Sequence, residues 1–73
     1  MTKAELNREI AKHGFELVRN TLGGSYFYWA ALPDAPALPE ISSIYVYKFS
    51  DQTDAQWRAA VADVLAAIAA QEA

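Results

Sequence analysis

Four aromatic residues stand in a row, Tyr26-Phe27-Tyr28-Trp29, within the stretch SYFYWAAL. An extended strand points alternate side chains to opposite faces, so the run resolves into two pairs, Phe27 with Trp29 and Tyr26 with Tyr28. Phenylalanine and tryptophan gain most from full burial, whereas tyrosine can keep its hydroxyl in water. The stretch therefore calls for a sheet with one covered face and one open face. A one-residue slip of register would exchange the two.

At 73 residues the chain makes one domain, spanning residues 1–73. At that size only about 60% of the unfolded surface is buried on folding, so the core is thin and large rings fill it efficiently. The sequence has no cysteine and a single histidine, His13. That excludes disulfides, thiolate metal sites, a cysteine nucleophile and a multi-histidine centre within one chain, and neither metal nor cofactor is expected. There is no secretory leader pattern and no run of about 18 apolar residues, so the expectation is a soluble, cytoplasmic protein without a membrane partner.

Thr2 and Glu5 have the spacing of a capping box, which predicts a helix from Thr2 to His13 with Leu6 and Ile10 on its apolar face and Gly14 as its left-handed stop. From Phe15 the period becomes two, giving a first strand through Asn20. Thr21, Leu22, Gly23 and Gly24 then form a hairpin connection, and Ser25–Leu32 form a second strand. The three prolines of PDAPALPE, residues 33–40, read as an extended loop. Ile41–Phe49, rich in β-branched and aromatic residues, reads as a third strand. Thr53 with Gln56 repeats the capping-box spacing and opens a second, alanine-rich helix that frays at Gln71, Glu72 and Ala73. In it Asp54 can pair with Arg58 one turn on.

The expected fold is α+β with the order α-β-β-β-α: a three-stranded antiparallel sheet with both helices packed on one face. The covered face takes Phe15, Leu17, Phe27, Trp29, Ile44 and Val46, facing Leu6, Ile10, Trp57, Val61, Val64, Leu65 and Ile68. The open face takes Tyr26, Tyr28, Tyr45 and Tyr47, together with Phe49. These five are the candidate partner-binding residues. Cross-strand aromatic pairs can serve the sheet alone, at roughly 0.2 to 1 kcal/mol each. They can equally form a patch that docks a protein, or stack single-stranded bases.

Charge bears on that choice. The net charge is -3, with four cations against three anions in residues 1–31 and two against six in residues 32–73. A nucleic-acid binder needs a basic surface, which this balance disfavours. Lys3, Arg8 and Lys12 are interleaved with Glu5 and Glu9 as on a solvated helix face. His13 reads as a cap on the last carbonyls of the first helix. Gly23-Gly24-Ser25 leads into a strand and so lacks the helix N-terminus of a phosphate cradle. Asp34, Glu40 and Asp51 are too scattered for a two-carboxylate site, and no catalytic residue is assigned.

The opening helix in TKAELNREIAKHGF, the strand FELVRN and the Gly24-Ser25 pair resemble the HicA-type toxins, small ribonucleases of the double-stranded-RNA-binding-like fold. That family carries its catalytic histidine directly after such a Gly-Ser pair, where this chain has Tyr26. The resemblance implies the fold without cleavage of RNA by that route. The stretch VYKFSDQTDAQW looks like small phage and mobile-element proteins. The expected function is a non-enzymatic interaction module, an accessory or inhibitor protein of a mobile element, whose partner is another protein or a second copy in a homodimer. Docking would use the aromatic face or the acidic second half. The alternative is a nucleic-acid-binding or RNA-cleaving protein of the HicA-like fold, with phosphate contacts from Lys3, Arg8, Lys12 and Arg19.

Overall fold

Thr2 and Glu5 close their box as the spacing predicts. In the computed structural model, which describes residues 1–22 and 24–72, the Thr2 N–H donates to Glu5 Oε1 at 2.9 Å and the Glu5 N–H donates to the Thr2 hydroxyl at 3.1 Å. Helix α1 (Lys3–Ile10) follows, and a 3₁₀ turn over Ala11–His13 tightens its end. Gly14 then stops it at φ 87°, its N–H bonded to the Ala11 carbonyl. A side chain cannot replace glycine here, because a Cβ would come within 2.9 Å of Ala35 Cβ as well as straining the backbone. Gly14 and not His13 therefore closes the helix. The His13 ring is exposed and lies 6.4 Å from that of Phe15.

Strands β1 (Phe15–Asn20) and β2 (Tyr26–Ala31) pair antiparallel, Leu17 opposite Trp29 and Val18 opposite Tyr28. Gly23 and Ala73 lie outside the described residues, and with them Gly23's place in the expected hairpin connection, its share of the phosphate-cradle comparison and the fraying of Ala73. The outer edge of β1 is covered by one side chain. The Leu17 N–H donates to Asn7 Oδ1 at 2.7 Å, and Asn7 Nδ2 donates to the Leu17 carbonyl at 3.1 Å, so the amide of α1 stands where a neighbouring strand would be.

The three-stranded sheet is corrected by the structure: the sheet has two strands. Of the expected third, Ile41–Phe49, one residue pairs, Ile44 exchanging both backbone bonds with Phe27 at 2.9 and 2.8 Å. The ladder stops at that one pair. Towards the hairpin its partner strand ends at Tyr26, and after Tyr47 the chain turns into a 3₁₀ segment, Phe49–Asp51, where Asp51 Oδ2 accepts the Lys48 N–H. On the other side residues 40–43, which stand opposite Ala31–Tyr28 in that register, make no backbone bond to β2. What holds this segment is side-chain packing: Ile41, Ile44, Val46 and Phe49 all lie against the core.

Helix α2 (Asp54–Glu72) starts from a second reciprocal pair, Thr53 N–H to Gln56 Oε1 at 2.8 Å and Gln56 N–H to the Thr53 hydroxyl at 3.1 Å. The fully buried residues are Leu6 and Ile10 of α1, Phe15 and Leu17 of β1, Phe27 of β2, and Trp57 and Val64 of α2. Both helices thus share a core with one face of the hairpin. The expected Asp54–Arg58 pair gives way to tertiary partners: Arg58 Nη1 reaches Glu9 at 3.1 Å, tying α2 to α1, and Asp54 lies 3.5 Å from the Met1 amino group.

The Glu5 carboxyl is held below its usual range, first by the Thr2 backbone N–H and then by the Thr2 hydroxyl. A carboxylate depressed in the folded state stabilises it above the unfolded pKa, and that stabilisation is lost as pH falls through the folded value. The expected NMR titration midpoint of Glu5 lies below that of an unstructured glutamate, and Thr2→Ala raises it part of the way because the backbone donor remains. A midpoint at the ordinary value in the parent chain would mean that the box is open in solution.

Candidate interaction surface

The pleat that buries Phe27 turns Tyr26 and Tyr28 to the other face of the hairpin, away from both helices. The register sets Asn20 beside Tyr26 and Val18 beside Tyr28. The Phe27–Ile44 pair places Tyr45 next to Tyr26 on that same face. The ring centres of Tyr26 and Tyr28 are 6.2 Å apart and those of Tyr26 and Tyr45 are 5.6 Å apart, both tilted. Tyr26 is the half-buried centre, its hydroxyl bonded by the Asn20 amide. Tyr28 and Tyr45 flank it at 37% and 79% exposure. The outcome is a contiguous aromatic patch whose two outer hydroxyls have no hydrogen-bond partner among the described residues.

The other two expected members sit elsewhere. Tyr47 is exposed, but its neighbour is Arg19, whose guanidinium carbon lies 5.7 Å from the Tyr47 ring centre and whose Nη2 donates to the Tyr47 carbonyl at 3.2 Å. Phe49 belongs to the core. The 3₁₀ turn breaks the period-two alternation, and the ring stacks flat on Trp57 at 4.8 Å and 7°. Its carbonyl accepts the Trp57 indole N–H at 2.8 Å. Leu22, at the hairpin tip, is 84% exposed and was not singled out by its sequence context, where turn residues predominate.

The charged candidates disperse. Asp51 accepts the Lys48 N–H and Asp54 is drawn to the amino terminus, while Asp63 lies nine residues along α2, about 13 Å from Asp54. They do not form a single acidic face. Of the four basic residues, Arg8 and Lys12 lie one turn apart on exposed surface, Lys3 is half-buried, and Arg19 is occupied by Tyr47. An apolar groove of about 190 Å³ runs between the helices, floored by Leu6, Ile10, Val61 and Leu65.

Among the described residues no three histidine, aspartate or glutamate side chains gather as a metal site would need, and no helix is long and apolar enough to cross a membrane. No protein-family model, no curated protein and no solved structure matches the chain.

Proposed function

We propose that the chain is a non-enzymatic interaction module, an accessory or inhibitor protein of a mobile element that docks another protein on the patch of Tyr26, Tyr28 and Tyr45. The observation that carries this is the exposure of two tyrosine rings packed around a third on an otherwise uncovered hairpin face. Tyrosine anchors interfaces because a rigid ring buries apolar area while its hydroxyl still finds a partner. The dispersal of Asp51, Asp54 and Asp63 favours the aromatic face over the acidic half. The mobile-element setting rests on the likeness of VYKFSDQTDAQW alone.

The exposed parts of these rings amount to a few hundred Å². A standard interface takes about 800 Å² from each partner, so the patch is an anchor within a larger contact and dimerisation through it alone is weak. Changing Tyr28 and Tyr45 to serine together is expected to leave the circular dichroism unchanged and to abolish capture of the partner in a pull-down. Capture that survives both changes removes the tyrosine face from the function. Capture of RNA in place of protein, falling by about 0.7 log unit per neutralised phosphate and decade of salt on single strands, would replace the module by a nucleic-acid binder.

A further inference from the structure

Backbone groups at the second edge of β2 stand open. Phe27 exchanges both of its bonds with Ile44, and groups along a strand alternate in direction, so the N–H and C=O of Trp29 and Ala31 point to the same side as those of Phe27. Leu17, opposite Trp29, confirms the alternation by bonding outward to Asn7. Among the described residues neither Trp29 nor Ala31 has a backbone partner on that side. The chain that would supply one, residues 41–43, diverges from β2 before Ile44. Between them lies a cleft of about 310 Å³, lined by Trp29, Ile41, Ser42, Ser43, Ala60 and Asp63 among others.

We propose that this edge is a strand-addition site for an extended segment of a partner protein carrying a lysine or arginine. An exposed edge pairs such a segment through main-chain bonds, and flanking side chains choose its sequence. Bonding both Trp29 and Ala31 spans about 7 Å, the reach of roughly three extended residues. Asp63 is the one charged side chain lining the cleft among the described residues, so a cation is the complementary group, and Ser42 and Ser43 add hydroxyls that donate or accept. A second copy of this chain fits less well. Its β1 edge is blocked at Leu17 by Asn7, and pairing two β2 edges adds a second Asp63 and no cation. The site is separate from the tyrosine patch, and its test is independent of that reading.

The test is an amide NMR titration of the full chain with the capped peptide Ac-Val-Lys-Val-Thr-amide, the same peptide with glutamate for lysine, and a version N-methylated at all four residues. The amides of Trp29 and Ala31 are expected to exchange quickly in the free chain. With the lysine peptide they should shift and become protected at least about tenfold, while Tyr28 and Ala30, which face β1, change little. Asp63→Asn should weaken binding about two- to fivefold, the range of a partly exposed ion pair, the glutamate peptide should bind the parent chain more weakly than the lysine peptide by at least that factor, and the N-methylated peptide should not bind. The proposal is overturned if neither amide responds, if the N-methylated peptide binds as well as the parent, or if both amides are already protected in the free chain.

Discussion

Replacing Trp57 by alanine is expected to remove a large share of the chain's stability. The indole is fully buried, with Phe49 stacked at 4.8 Å, Phe27 edge-on at 5.5 Å and Trp29 edge-on at 6.4 Å. Its N–H holds the Phe49 carbonyl. Truncating a buried tryptophan costs about 3 to 5 kcal/mol, and a domain of this length has only about 4 to 11 kcal/mol in all. One ring therefore joins α2, β2 and the segment leading to Phe49. Trp57→Phe separates packing from hydrogen bonding, since it keeps an aromatic ring but leaves the Phe49 carbonyl without its donor, a loss of about 1 to 3 kcal/mol. Urea denaturation followed by circular dichroism measures both. A Trp57→Ala chain within about 1 kcal/mol of the parent would contradict a core centred on this residue.

Asn7→Leu carries the second large effect. Leucine has nearly the same shape but can neither accept from the Leu17 N–H nor donate to its carbonyl. Leaving those groups unpaired at a partly buried edge costs about 1 to 3 kcal/mol, which lowers Tm by roughly 5 to 20 °C in a domain of this size. The change also uncovers a strand edge, so the variant is expected to associate increasingly with concentration. Asn7→Asp is a useful companion because it retains the acceptor and loses the donor. Thermal melts and sedimentation at two concentrations read both consequences. An unchanged Tm together with a monomeric Asn7→Leu chain would show that water replaces the amide without loss.

Features set by near neighbours were legible in the residue order. Thr2 with Glu5 and Thr53 with Gln56 form their bonds over three residues, so spacing alone locates both helix starts. The alternation through Phe15, Leu17, Phe27 and Trp29 likewise assigned a face to each strand residue. The third strand failed because residue type alone does not fix pairing. Ile41–Phe49 has suitable residue types, but β2 ends at Tyr26 on one side, and on the other residues 41–43 lie apart from it without a backbone bond.

The candidate surface divides in the same way. Tyr26 and Tyr28 follow from pleat parity, and Tyr45 needs only the single Ile44 pair to join them. Tyr47 and Phe49 were placed by extending an alternation that the 3₁₀ turn interrupts. Asn7 did not stand out in the residue order. The available signal was its position beside Leu6 and Ile10, where a side chain can reach inward to the sheet.

The two indoles also make the molecule its own optical instrument. Trp29 and Trp57 are the only tryptophans in the chain, held 6.4 Å apart at nearly a right angle, close enough for their excited states to couple. Trp57 is sealed from solvent, whereas Trp29 borders the open cleft beside β2. An event in that cleft changes the polarity around one chromophore and leaves the other in a constant medium. Emission wavelength then follows the cleft, while the near-ultraviolet circular dichroism of the coupled pair follows the integrity of the core, and no attached dye is needed to tell the two apart.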